Sequence, residues 1–206
     1  MNLKAITEVI YAVRDYLFPY DKIQKNFTKI DNPEELTKFI KERSAYVTQT
    51  TLYGYLKTRM GLKYTLMFND EVFLGSINKS KWNIFIASVS DLTLYAVSFL
   101  MNNNKLKEDE IDIKKIFSNI IDDEIKNGLD SELANQAKNN FFNKLSQINI
   151  INYINEEPFK LSGEALYHWA PIAVELKELD KEIVLNSIKN KWNTVIADFK
   201  NLSKNY

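Results

Sequence analysis

Cysteine is absent from the 206 residues, and that one absence removes disulfides, thiolate metal sites and thiol nucleophiles together. Glycine occurs five times and proline four, and strand-like alternation of apolar and polar residues is scarce. Helix is therefore the expected state of every periodic segment. The single histidine, His168, excludes H-E-x-x-H zinc sites and the paired E-x-x-H di-iron bundle, each of which needs two. No glycine flanks a serine in a G-x-S-x-G elbow, and there is no Walker A or G-x-G-x-x-G loop, so an ordinary hydrolase triad and the common nucleotide cradles have no residues to build them. Net charge is missing too. Lys plus Arg and Asp plus Glu both number 27, which leaves no global basic field, and a nucleic-acid partner is not expected. The first residues carry neither an apolar h-region nor a small-residue cleavage site, and a cytoplasmic location is the expectation.

What the sequence does contain is apolar mass. Hydrophobic residues make up 45% of the chain, enough for a real core and for one helical domain over 1–206. Asn, Ile and Lys are abundant, whereas arginine stands only at Arg14, Arg43 and Arg59. Where lysine is used so freely, the few arginines mark places that need a planar, two-pronged donor.

The first expected helix covers 3–18, with Leu3, Ile6, Ile10, Val13 and Leu17 on one face, and Pro19 ends it. Asn32-Pro33-Glu34-Glu35 reads as cap, first-turn proline and capping glutamate of a second helix that runs to Met60 and closes at Gly61. Asn69-Asp70-Glu71 opens a third helical region, interrupted near Gly75-Ser76, that continues to about Met101. From Trp82 onward this region is apolar nearly all round, which fits the centre of a bundle or a membrane span. Asp91 at its middle costs about 2.5 to 3.5 kcal/mol in lipid, so the bundle is preferred and no transmembrane segment is expected. Further helices are expected at about 111–127, closed by Gly128, and at 131–148, opened by Asp130 or Ser131. Tyr153 to Leu161 reads as a connector and the best candidate for a mobile segment. Ser162-Gly163-Glu164 opens a short helix that Pro171 kinks or restarts, and Asp180 caps a long terminal helix from Lys181 to about Lys204. The fold class is all-α, an irregular bundle of about seven helices around a central apolar helix.

Three groups of residues carry whatever chemistry there is. Arg43, Tyr46, Thr50, Tyr53 and Lys57 recur at intervals of three and four, giving one aromatic face rich in hydrogen-bonding groups; Gln49 lies close by, and Gly54 implies close approach of another helix. Packing and a pocket wall both explain this face. On the next helix Asp70, Glu71, Asn78, Lys81 and Trp82 pose the same choice, and Asp91, an acid among apolar residues, needs a partner or shifts its pKa upward, with Arg43 and Arg59 the candidate partners. Glu164 and His168, at i and i+4 beside Trp169, form either a carboxylate-oriented base or a plain surface pair. Asp122-Asp123-Glu124 lacks the second aspartate of a magnesium-binding helix and reads as a solvated face.

The runs Arg43–Gly61 (RSAYVTQTTLYGYLKTRMG), Met67–Trp82 (MFNDEVFLGSINKSKW) and Ser162–Trp192 (SGEALYHWAPIAVELKELDKEIVLNSIKNKW) resemble a family of small, uncharacterised all-helical proteins from alphaproteobacteria, some labelled "esterase". The resemblance implies a bacterial cytoplasmic protein. Without a serine elbow or a second histidine the esterase label has no mechanism in this sequence, and it is not carried over.

The expected function is a non-catalytic helical binding, adaptor or assembly protein, with a protein partner or self-association and neither metal nor cofactor. Trp82, Glu164, His168, Trp169 and Trp192 are the expected partner-binding residues. The alternative is a small-ligand binder or enzyme with a polar site between the 33–60 and 69–101 helices, formed by Arg43, Tyr46, Gln49, Tyr53, Arg59, Asp70, Asn78, Lys81 and Asp91.

Overall fold

The structure, a computed structural model, describes residues 27–61, 69–107 and 110–206. The expected helix over 3–18 lies outside the described residues. Within them the chain is all-helical: α1 (Pro33–Met60), α2 (Glu71–Asn102), α3 (Ile113–Ile125), α4 (Ser131–Gln147), α5 (Lys160–Trp169) and α6 (Val174–Leu202), with a 3-10 turn at Tyr153–Asn155.

Four of the six helices begin on a side chain that the local sequence supplies. Asn32 accepts the Glu35 N–H ahead of α1, Asp70 the Val72 and Phe73 N–H groups ahead of α2, Asp112 the Lys115 N–H ahead of α3, and Asp130 the Leu133 N–H ahead of α4. Each such cap satisfies an otherwise orphaned donor and contributes about 1 kcal/mol. Gly61 (φ 55°) and Gly128 (φ 99°) take up the left-handed half of the map, Gly61 closing α1 and Gly128 following α3. The expected interruption at Gly75-Ser76 does not occur, and α2 is one continuous helix. A single solvent-facing glycine costs a helix about 1 kcal/mol, too little to break one whose remaining length is strongly packed. Gly54 does not meet the expected close approach among the described residues: apart from its own helix's backbone, none of their atoms comes within 4 Å of where its Cβ would stand.

α2 packs against α1, α3, α5 and the 3-10 turn, while α6 lies against α1 and α5. Residues 87–98 of α2 form an unbroken buried run. This helix is long and apolar enough to cross a membrane, yet 83% of its most apolar stretch is buried inside the protein. An aromatic layer joins the helices. Phe159 stacks on Trp192 with centroids 4.4 Å apart and meets Tyr95 at 5.1 Å, and Phe199 of α6 meets Phe39 and Phe99 at 5.5 and 5.7 Å. At the other side of α2, Phe117 and Phe141 stack at 4.0 Å and fasten α3 to α4.

The last two helices start earlier than the sequence suggests. α5 begins at Lys160, not Ser162, behind Phe159 in the left-handed region (φ 72°), and Phe159 offers no side-chain cap. α6 begins at Val174, behind Pro171 and the uncapped Ala173, so Asp180 is an interior residue of the helix rather than its cap. The connector before α5 is held at two points, because Tyr153 and Phe159 are both buried.

Candidate functional site

Asp91 is fully buried in the middle of α2, and its partners are neither Arg43 nor Arg59. The Tyr153 hydroxyl donates to Oδ1 at 3.0 Å, the backbone N–H of Ser162 donates to Oδ2 at 2.8 Å, and the Lys144 ammonium lies 3.6 Å from Oδ1. Ser162 sits in the first turn of α5, so Asp91 supplies from another helix the capping oxygen that Phe159 lacks. The same serine ties in α6: its hydroxyl donates to Phe159 O and accepts the Trp192 indole N–H at 3.0 Å. Burial raises the Asp91 pKa, against the opposing pull of Lys144, the Ser162 N–H and Tyr153. Burial also raises Tyr153, and the neighbouring Asp91 charge adds to it.

Above Asp91 opens a cleft of about 500 Å³, lined by Lys144, Tyr153, Glu156, Glu157, Lys160 and Glu164 among others. A second groove, of about 530 Å³, holds Asn78 and Trp82 of α2 with Leu133 and Gln136 of α4 and Trp169 of α5. The Lys79 ammonium lies 4.9 Å from the Trp169 ring centre. A third, of about 1060 Å³, runs between α1 and α3. At its side Lys41 bridges Asp123 and Glu124; burial works to lower the Lys41 pKa, and the two carboxylates outweigh it and raise it.

The expected ligand residues are distributed over these places and others. Arg43 turns toward α6, 3.8 Å from Asp198 and over the rings of Phe27 and Phe39, and Tyr46 on the same side carries the Lys191 ammonium 5.9 Å from its ring centre. Gln49 is buried and Tyr53 half-buried. Arg59 pairs with Asp180, which also accepts the Tyr55 hydroxyl at 2.9 Å. Asp70 is the α2 cap. Lys81 is buried, and burial lowers its pKa to about 8. Of the nine, Asn78 lines the second groove and Asp91 the first cleft.

The expected partner residues divide differently. Trp192 is 1% exposed and Trp82 also buried, so both serve the core rather than the surface. Glu164 and His168 are exposed and make no ion pair with the described residues; the His168 ring meets the Trp169 ring edge-on at 4.9 Å. No group of three or more His, Asp or Glu among the described residues is placed to hold a metal.

Exposed large apolar residues occur singly at Val72, Ile151 and Leu161, and as a group on α6. Leu179 is 76% exposed and Ile183 69%, with Leu176 and Val174 exposed before them. Leu176, Leu179 and Ile183 fall at i, i+3 and i+7, one stripe on the outward side of α6, while Asp180, Val184 and Ile188 form its buried side. A signal was present in the sequence: Leu176, Leu179 and Ile183 together with Val184, Leu185 and Ile188 occupy more of the helical circumference than one buried face requires.

Comparison with protein-family models, with curated proteins and with solved structures finds no match. The functional reading therefore rests on this geometry alone.

Proposed function

We propose that this chain is a non-catalytic helical binding or assembly protein of the bacterial cytoplasm, a bundle organised around α2, and that it meets a protein partner through the outward side of α6. The observation that carries this reading is the apolar stripe Leu176, Leu179 and Ile183. Isolated exposed apolar residues are ordinary, but three large ones aligned over two turns of a helix whose other side is already packed form a contiguous surface, the kind that marks interaction sites. A photo-crosslinking residue placed at Leu179 and expressed in the native host tests it. Discrete crosslinked species are expected at Leu179 and not at an exposed polar control such as Glu132, and adding Ile183→Asp should remove them. Identical patterns at the two positions would sink the reading.

A small-ligand site is the second reading, and the Asp91 cleft favours it. A buried carboxylate with a raised pKa at the foot of an open cleft is a recurrent feature of binding and catalytic sites. Against it, Asp91 is already fully engaged by Tyr153, Ser162 and Lys144. Its structural duty as the cap of α5 accounts for its position.

A further inference from the structure

We propose that the outward side of α6 docks a cationic amphipathic helix of a partner protein, its apolar residues covering Leu176, Leu179 and Ile183 and its lysines or arginines pairing with Glu175, Glu178 and Glu182. This rests on the binding reading above and deepens it by naming the chemistry of the partner.

The three glutamates repeat the spacing of the apolar stripe one residue earlier: Glu175 precedes Leu176, Glu178 precedes Leu179 and Glu182 precedes Ile183. One residue is a rotation of about 100° on a helix, so the two sets form adjacent parallel rows. All three glutamates are exposed. None makes an ion pair with the described residues, although lysines stand next to them in sequence. Two of those lysines reach toward α5 instead. The Lys177 ammonium donates to the His168 carbonyl at 2.6 Å, and the Lys181 ammonium lies 5.6 Å from the Tyr167 ring centre, so both are committed to α5. What faces solvent is an apolar row beside a row of three glutamates; the exposed cations nearest to them in sequence are Lys181 and, two turns beyond Glu182, Lys189.

That pattern selects among occupants. An anionic lipid surface is repelled by the acidic row. A second copy docked antiparallel about a two-fold axis sets acidic row against acidic row, which costs affinity. A helix with leucine-like residues at i, i+3 and i+7 and basic residues along one flank satisfies both rows together. The stripe spans about 10 Å, so two to three turns of such a helix cover it.

Fluorescence anisotropy tests the inference with two labelled probes, an amphipathic leucine/lysine peptide and its leucine/glutamate counterpart. The chain should bind the lysine peptide at least about tenfold more tightly, and less so as salt is raised. The triple change Glu175→Lys, Glu178→Lys, Glu182→Lys should invert the preference, and Leu179→Ser with Ile183→Ser should abolish binding of both probes while leaving the melting curve unchanged. Equal affinity for the two peptides, or a preference that survives the triple reversal, would overturn the inference. So would either of two other occupants: vesicles rich in anionic phospholipid whose binding depends on Leu179 and Ile183, or a dimer by light scattering that Leu179→Ser with Ile183→Ser dissociates. The dimer would leave the assembly reading standing while removing the cationic partner. If crosslinking from position 179 shows nothing and the serine variant behaves as the parent in every assay, both readings fail together.

Discussion

The two halves of α6 are built from similar residues and put them to opposite uses. In the second half Trp192, Val195 and Phe199 are buried, and apart from Ala197 the exposed residues are polar. In the first half a narrow buried edge of Asp180, Val184 and Ile188 holds the helix down while leucine and isoleucine face outward. The buried edge there is anchored by an ion pair, Arg59 with Asp180, and not by apolar mass alone. An apolar side chain is stabilising only where it leaves water, so the second half is explained by folding, and the outward row of the first half is not. The difference separates residues that hold the protein together from residues available to something else.

The largest effect that sharpens the contrast is expected at Trp192. Trp192→Ala removes a fully buried ring that stacks on Phe159 and an indole N–H that holds Ser162, and it should cost about 4 kcal/mol in urea unfolding. A loss under about 1 kcal/mol would mean that the second half is not the anchor described.

Asp91 comes next, because it caps the helix on which Trp192 rests. Asp91→Ala leaves the Ser162 N–H and the Tyr153 hydroxyl without their acceptor in a buried place, for a loss of about 3 kcal/mol. The pH dependence gives a finer test. The native pKa of Asp91 is raised above its ordinary value of 3.8, burial being the largest cause, so between the two values the native state holds more protons than the unfolded one. Its contribution is therefore fully present below about pH 4 and is lost as pH rises through the raised native value. Asp91→Asn removes that dependence. Measured against the parent by urea unfolding, the Asn variant should gain relative stability as pH rises from acid to neutral; a difference that stays flat with pH would show that the carboxyl is not shifted.

A smaller effect is expected at the first half's own anchor. Arg59→Ala leaves Asp180 buried with only the Tyr55 hydroxyl, and because the arginine side chain is 31% exposed the loss is discounted to about 2 kcal/mol. It should also raise amide exchange over residues 174–185 before the rest of α6. Uniform exchange along the helix would erase the distinction between its halves.

Much of the fold was legible because its signals are local. Asn32, Asp70 and Asp130 each cap a donor two or three residues ahead, and a short stretch of sequence contains the whole interaction; Asp112 does the same for α3, although the periodicity there places the start at about 111. α5 and α6 were misplaced for the opposite reason. The cap of α5 is Asp91, far away in the chain, and no pattern around Ser162 announces it. Asp180, followed by Lys181 and Glu182, looks like a cap because the arginine that claims it lies on α1. The same limit governed the Asp91 partner. The sequence shows that a buried acid needs partners, and arginine is the obvious donor; the actual partners are the Tyr153 hydroxyl, the Ser162 N–H and the Lys144 ammonium, and the first two come within reach because the 3-10 turn and α5 pack against α2. Trp82 and Trp192 read as interface residues by type alone, whereas burial depends on which side of a helix each occupies.

Whether the outward row of α6 contributes to binding and not to folding is read from the stability of the Leu179→Lys, Ile183→Lys double variant. An unfolding free energy within about 0.5 kcal/mol of the parent is expected, the usual range for exposed positions. A loss of about 2 kcal/mol or more would contradict it, because these side chains would then be covered by the protein's own chain.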